Sequence, residues 1–567
     1  MMGSDVTSLL PPGWLLIVGA LLVPVLRGAA RQAYMLALPG LGLWQLLAIP
    51  LGTSLVYSFM GYDLELVRVD ALSRAFGIVF YVATFISVIY AMKVKSSLES
   101  AAALVYAGSA IAAVFAGDLI TLFVSWELTA ISSVFLVWAS GTEAALRSGM
   151  RYLIIQVSSG VFLLAGAIIH YAETGALAFG HLGLGTAGTS LIFVAFGIKA
   201  AFPFMHNWLQ DAYPNATVTG TVFLSAFTTK LAIYALARGF AGEAILIPIG
   251  ATMTAFPIFY AVIENDLRKV LAYSLNNQLG FMVVGIGIGT ELALNGTVAH
   301  AFAHVIYKGL LYMCMGAVLY RVGTVKGSEL GGLYKSMPLT TIFCIIGAAS
   351  ISAFPLTSGF VTKSMILTSA AEGHFTIAFL VLLFASAGVF DHSGIKVPFF
   401  AFFAHDRGLR VKEAPINMLI AMGLSSALCL GIGIFPSVLY GLLPYSVDYV
   451  PYTTSHVVTM LQLLLFSALA FTFLMKTGLY PPELRSTVLD TDWIYRRALP
   501  WVRDGLGHAY TQNVDAAVAR FRRARGEVLH RIAGVCQPFG TLGEPWPTGV
   551  TTMWAAIMLF TYLVLYY

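Results

Sequence analysis

Long apolar runs alternate with short polar connections almost from one end of the chain to the other. Sixteen runs stand out, at roughly 13–26, 33–57, 71–92, 100–116, 119–140, 152–171, 188–208, 217–237, 244–263, 270–289, 296–320, 339–370, 377–402, 416–442, 457–475 and 551–567. About 20 apolar residues carry a helix across a bilayer. The pattern therefore predicts an all-α polytopic membrane protein of about 16 transmembrane helices. Two runs contain a break. The seventh holds Pro203, and the twelfth, too long for one straight helix, has PLTSG between Pro355 and Gly359 at its middle. Such interruptions survive in a membrane only where protein or a polar cavity surrounds them.

Composition agrees. Of 567 residues, 58% are hydrophobic and 10% charged, against about 45–50% and about 25% in a soluble protein. A soluble enzyme and a single-span receptor are both excluded. The four cysteines, Cys314, Cys344, Cys429 and Cys536, show no CxxC spacing, so neither a disulfide framework nor a zinc or iron–sulfur site is expected. The N-terminal MMGSDVTSLL lacks a charged region ahead of an apolar one, and no removable signal is expected. The net charge of +5 gains meaning only from its placement. Counting along the chain, 24 of the 32 Lys and Arg fall in odd-numbered loops. Positive loops stay cytoplasmic. Both termini are then expected outside, with 476–550 cytoplasmic, in a bacterial or archaeal plasma (inner) membrane.

Five lysines remain inside spans: Lys199, Lys230, Lys308, Lys363 and Lys396. Glu127, His300, His304, Asp391 and His392 join them. A charge at the bilayer centre costs at least about 2.5–3.5 kcal/mol, so these residues point to an ion path, a relay or internal pairs. His300, His304 and Lys308 share one helix face, since each step of four residues drifts only about 40°. Other readings stay open for some of them. Lys363 and Lys396 suit snorkelling if they lie near a span end. The two histidines suit helix–helix hydrogen bonding. A metal site on them would need Lys308 as a ligand, a poor one at neutral pH, and no metal is expected. Asp391, His392 and Lys396 fit a second path, a cation site or an internal ion pair.

Six segments carry a resemblance: SWELTA, GIKAAFPFMHNWLQDAYPNAT, ENDLRKVLAYSLNNQLG, HAFAHVIYKGLLYMCMG, GGLYKSMPL and FPLTSGFVTKSMIL. Together they resemble the proton-pumping antiporter-like family. It comprises the large membrane subunits of respiratory complex I, the A-type and D-type subunits of Mrp-type Na+/H+ antiporters, and subunits of membrane hydrogenases; the chain resembles the D-type Mrp protein or a stand-alone relative of it. The resemblance covers about 100–400. It implies a fourteen-helix antiporter-like core with two inverted five-helix repeats, here 100–237 and 244–402, each with one discontinuous helix. The remaining segments would be N-terminal helices at 1–99, C-terminal core helices at 403–475, a basic segment at 476–550 and an anchor helix at 551–567. Discontinuous helices at midplane are a general transporter device.

Roles follow from the resemblance residue by residue. Glu127 matches the glutamate that pairs with the lysine of the first broken helix, Lys199. Lys230 matches a connecting lysine, His300 and His304 a bridge beside Lys308, and Lys363 the terminal lysine of the second broken helix. There are departures. Asn276-Asn277 stand where small hydroxyl residues are usual, Arg268 stands where a lysine is common, and DHSGIKVPFFAFF is unusually polar.

Burial disfavours the charged form of an amine, and a nearby carboxylate favours it. Two charges about 4 Å apart interact by about 4 kcal/mol at an effective dielectric of 20, enough to switch a lysine between holding and releasing a proton. The implied function is a proton-translocating subunit of a multisubunit cation antiporter. The alternatives are a pumping module of a complex I-like or hydrogenase redox assembly, and a non-transporting scaffold. Expected partners are other membrane subunits, monovalent cations, protons and lipids, with no cofactor and no nucleic acid. Between 511 and 533, Val514, Val518, Phe521, Val528 and Ile532 oppose Arg520, Arg522, Arg523, Arg525 and Arg531, which predicts an amphipathic basic helix in the membrane interface.

Overall fold

The chain was analysed as a computed structural model that describes residues 10–484, 488, 490–538, 540–541, 543 and 545–566. The remaining positions, which include the start of 1–99, parts of 476–550 and the end of the last run, lie outside the described residues. Every predicted run contains helix within them. Residues 1–488 and 489–567 form two separate units.

The first unit begins with α1 (Trp14–Gly19) and α2 (Gly28–Ala48). The second run was expected to be helical to 57, yet the helix ends at Ala48. An antiparallel hairpin follows, β1 (Ser54–Phe59) and β2 (Tyr62–Arg68), with Phe59 opposite Tyr62. Its turn residues Met60 and Gly61 have φ of 50° and 84°, the two positive values that a tight right-twisted hairpin requires. This hairpin is a local insertion in an all-α polytopic membrane fold. Next come α3 (Ala71–Ala91), α4 (Ser97–Phe115), α5 (Leu119–Trp138), α6 (Glu143–Thr174), α7 (Ala187–Ala200), α8 (Asn207–Ala212), α9 (Gly220–Ala226) and α10 (Thr228–Gly239). They are followed by α11 (Leu246–Ile263), α12 (Leu267–Ile288), α13 (Glu291–Val322), α14 (Pro338–Ile351), α15 (Ser358–Glu372) and α16 (Thr376–Val389). The helix that α16 begins runs on through π-helical stretches at Phe390–Lys396 and Phe399–Phe403. The unit closes with α17 (Ile416–Ile434), α18 (Pro436–Tyr440) and α19 (Thr454–Thr477).

Among the described residues, eleven helices are long and apolar enough to cross a membrane. The other five runs are α1, α2, the two broken helices, and α12 with its polar Arg268, Lys269, Asn276, Asn277 and Gln278. The α13 helix forms the centre, with 94% of its apolar window buried, whereas α19 lies at the periphery with 17%. Close helix contacts rely on small residues. A Cβ on Gly250 of α11 would stand 2.7 Å from the Gly280 carbonyl oxygen of α12, so only glycine lets these backbones meet.

Two successive helix sets, α4 to α10 and α11 to Phe403, share an order. The second helix of each is N-capped by an aspartate, Asp118 for α5 and Asp266 for α12. Each cap residue forms an isolated antiparallel bridge to the chain beyond the third helix, at Ala178 and Lys326. Those third helices, α6 and α13, are both 32 residues long. The fourth is broken in both sets, at the same motif: Ala201-Phe202-Pro203-Phe204 and Ala353-Phe354-Pro355-Leu356. Its first and last residues take left-handed conformations, with φ of 63° and 67° in the first set and 58° and 69° in the second. Each such residue costs about 1–3 kcal/mol and persists only where its surroundings fix it. The fifth helix also departs from α geometry. Span 217–237 breaks at Phe227, between α9 and α10, and its counterpart turns π-helical at Phe390.

The second unit contains α20 (Leu499–Cys536), led by a π-turn at Ile494–Ala498, and α21 (Thr548–Tyr566). The expected helix at 511–533 is thus part of a 38-residue helix, about 57 Å long at 1.5 Å per residue. Pro500 stands in its first turn, where a missing N–H costs nothing.

Candidate functional site: buried lysines on helix-end carbonyls

Breaking a helix frees backbone carbonyls that would otherwise accept an intrahelical hydrogen bond. In hydrocarbon these must find another donor. Three of the intramembrane lysines supply it. Lys363 donates from Nζ to the Ile351 carbonyl, the last of α14, at 3.2 Å. Lys230 donates to the Ser225 carbonyl across the α9–α10 break. Lys396 reaches three carbonyls at the end of α11, those of Ala261, Val262 and Glu264, at 3.2, 2.6 and 2.7 Å. Lys199, in the last turn of α7, donates to the Trp126 carbonyl of α5 at 2.7 Å. All four, with Lys308, have no exposed surface. Aromatic faces complete two of these sites: the Lys199 nitrogen lies 4.2 Å from the Trp126 ring centre, and that of Lys363 lies 4.8 Å from Phe281.

Glu127 follows Trp126 on α5 and interacts electrostatically with Lys199, although the lysine proton goes to the backbone carbonyl one residue earlier. The Glu127 Oε1 atom is buried with no hydrogen-bond partner. It points at Gly160 of α6, where any Cβ would collide with it. The neighbouring Ser159 receives the Trp126 indole N–H at 3.0 Å and donates to the Ala195 carbonyl at 2.7 Å. This ties α5, α6 and α7 together around the carboxylate.

In the middle of the unit, His300 Nδ1 lies 3.2 Å from Thr362 Oγ1, beside Lys363, and its Nε2 lies 3.4 Å from the Tyr307 hydroxyl. Tyr307 donates to Gln278 Oε1 at 3.2 Å, and Gln278 donates to Asn277 Oδ1 at 2.6 Å. The ring of His304 stacks on that of His300 at 6.2 Å and packs edge-on to Tyr307 at 5.3 Å. Both His304 nitrogens and the Lys308 nitrogen are buried without a protein partner, as are the polar atoms of the Asn276 side chain. Buried groups of this kind are the ones that internal water serves.

Of the readings left open for the span-13 residues, an ion pair is formed at Lys396, but not with Asp391. Lys396 pairs instead with Glu483 at 2.8 Å, a residue of the segment assigned to the cytoplasm. Asp391 is half-buried and its Oδ1 has no partner. His392 is fully buried, with both ring nitrogens unpartnered. Arg268 is used structurally. Its guanidinium spans the carbonyls of Pro214 at 3.0 Å and Ala216 at 3.0 Å and the Thr221 hydroxyl, clamping the connection between α8 and α9.

A membrane bundle with two like-ordered helix sets, each broken at a lysine site, has a counterpart among known proteins. Residues 116–391 match the transmembrane family described as NADH:quinone oxidoreductase/Mrp antiporter. The D-type subunit of the Na(+)/H(+) antiporter of Alkalihalophilus pseudofirmus is 30% identical over 312 residues, which are 51% of this chain and 63% of the relative. Hydrogenase-4 component B of Escherichia coli is 27% identical over 424 residues, 66% of this chain and 63% of the relative. The chain thus spans less than two thirds of the length of these relatives. A chain of the Mrp complex from Dietzia sp. DQ12-45-1b shares the fold, with a TM-score of 0.70 at 21% identity, over 79% of this chain and 98% of that one.

Proposed function

We propose that this chain is a proton-translocating subunit of a multisubunit monovalent cation (Na+)/H+ antiporter. Protons would move along Glu127, Lys199, Lys230, Lys308, His304, His300 and Lys363, between the two helix sets read as inverted repeats. The observation that carries this reading is the docking of fully buried lysines on backbone carbonyls, for Lys230 and Lys363 at a helix break or end and for Lys199 within α5 beside Glu127. Lys230 and Lys363, held on carbonyls without a carboxylate, can lose a proton without leaving a buried ion unpaired, whereas the carboxylate beside Lys199 favours its charged form. The unpartnered His304 and Lys308 nitrogens support a water-linked connection between the lysines. Likeness to a Na(+)/H(+) antiporter protein supports cation coupling. The 424-residue likeness to a hydrogenase component favours a second reading, in which redox partners drive the same relay.

In this reading the protein sits in a prokaryotic plasma membrane with other membrane subunits, both termini outside, and α20 lies in the cytoplasmic interface. Vesicles carrying the chain with its native partners provide the test. Added Na+ should dequench a pH-sensitive dye, and Lys199→Ala should abolish the signal at unchanged protein level. A response to an electron donor, with none to Na+, would instead establish the redox-driven reading.

A further inference from the structure

Of the five lysines inside spans, Lys396 is the one that forms an ion pair among the described residues. Its partner arrives by a stiff route. Helix α19 ends at Gly478, with φ of 73°. Tyr480 then folds back, its N–H on the Leu474 carbonyl at 3.0 Å and its ring against Phe471 at 5.0 Å. Pro481 and Pro482 restrict the next two residues and deliver Glu483 into the bundle with 6% of its side chain exposed. Burial pushes its carboxyl above the usual carboxylate range, against the pull of Lys396.

Two features make this more than a latch. On one side, Glu483 lines a cavity of about 250 Å³ with Gly327, Ser328, Phe400, Ala404 and Arg407, among the loops that carry surface charge pairs such as Lys335–Asp406. On the other side, His392 precedes Lys396 by four residues in the π-helical stretch, where residues four to five apart stack. His392 lies within electrostatic reach of Lys308 and Lys363 as well as Lys396. Its buried ring therefore feels the charge of both the central lysines and the ion pair. The other charged groups around Lys396 are Asp391 and Glu264, and Glu264 is itself paired with Lys269 at 3.0 Å.

We propose that His392, Lys396 and Glu483 form a proton port, a branch by which the central relay opens to the surface at the Ser328–Ala404 cavity; this rests on the proton-translocating reading above. The step balances over the three groups and Lys308. Lys396 Nζ gives its proton to the Glu483 carboxylate, leaving an amine and a carboxylic acid. The acid releases the proton to water in the cavity. A proton given up by Lys308 of the central relay reloads the amine through His392, which is left neutral again, and the sequence runs equally in reverse.

The test uses the same vesicles. Glu483→Gln keeps the shape and hydrogen bonding but cannot ionise, and it should slow Na+-linked proton movement by about a hundredfold. Glu483→Asp should restore most of the rate and move its pH profile, which a merely structural latch would not do. Ala404→Cys leaves the pair untouched. Whatever rate its unlabelled form sets, a bulky charged thiol reagent that enters the cavity should abolish it. This arm decides the matter where Glu483→Gln does not assemble. Full transport and an unaltered pH profile in an assembled Glu483→Gln complex, or in fully labelled Ala404→Cys, overturns the port and leaves a latch. Loss in Lys199→Ala alongside either result retains the relay, whereas no loss in Lys199→Ala removes the relay itself.

Discussion

In the helix set from α4 to α10, a carboxylate stands beside the lysine of the fourth helix: Glu127 adjoins the carbonyl that holds Lys199. Lys230 on the fifth helix has only the Ser225 carbonyl. In the set from α11 to Phe403 the arrangement is exchanged. Lys363 on the fourth helix has the Ile351 carbonyl and the Phe281 ring, and the fifth-helix Lys396 has the carboxylate, Glu483. The exchange is visible along the second helices too. Glu127 lies nine residues beyond its capping Asp118, whereas the ninth residue beyond Asp266 is Leu275, followed by Asn276. A carbonyl can receive a proton-bearing amine but has no charge with which to hold it. A carboxylate can do both. Each set therefore has one lysine whose charge is held by a carboxylate and one whose charge rests on a carbonyl.

Removing the titrating groups at motif positions should have the largest effect on this pairing. Glu127→Gln, Lys199→Ala and Lys363→Ala are each expected to lower Na+-linked proton movement by about a hundredfold or more, with the protein retained in the membrane on immunoblots. Near-normal transport by well-expressed Lys199→Ala would sink the relay. Lys230→Arg keeps a positive charge that cannot be unloaded at accessible pH. Dye measurements should show about a tenfold loss, and equal activity would mean that Lys230 need not release its proton.

A smaller and sharper effect is expected at Gly160. Alanine there pushes the Glu127 carboxylate aside without removing it. Transport should fall by a factor of a few while Gly166→Ala, which crowds the Gly188 backbone away from the carboxylate, should chiefly lower thermal stability. The same deficit in both would assign the Gly160 effect to packing. Arg268→Met strands several buried carbonyls and should cost about 1–3 kcal/mol, read as a lower melting temperature in detergent with the relay intact once assembled. Outside both sets, labelling of α20 should leave transport unchanged. A cysteine at Val518 should resist a water-soluble thiol reagent, while one at Arg525 reacts from the cytoplasmic side; equal, rapid labelling of both would remove the in-plane placement.

Hydropathy was enough to locate the membrane helices, because in a bilayer each helix must be apolar in its own right. The breaks of the fourth helices were readable from Pro203 and Pro355. The hairpin at 54–68 was not separated from the second run, since its strand residues Leu55, Val56 and Tyr57 extend the apolar stretch and only Met60-Gly61 marks the turn. The break at Phe227 and the π-turns from Phe390 involve neither a proline nor a glycine at the point of departure, so tertiary contacts decide them. Charge inside apolar runs picked out Lys199, Lys230, Lys308, Lys363 and Lys396, but not what they rest on. Backbone carbonyls such as that of Trp126 have no signature in a sequence. Glu483 escaped notice because 87 residues separate it from Lys396 and it follows an apparently soluble connection; Pro481-Pro482 was the available hint that the connection is held rigid.

The carbonyls that hold the lysines have a use of their own. A charged ammonium polarises a C=O bond more strongly than a neutral amine does, and so lowers its stretching frequency further. The Trp126, Ser225 and Ile351 carbonyls each face one lysine, and isotopic substitution of one peptide carbon isolates its band from the rest of the protein. The backbone thus contains three separately addressable vibrational gauges of proton occupancy, none of which requires altering a titrating side chain. Their order of response after a pH jump would give the sequence in which the lysines load, read from bonds that never exchange a proton.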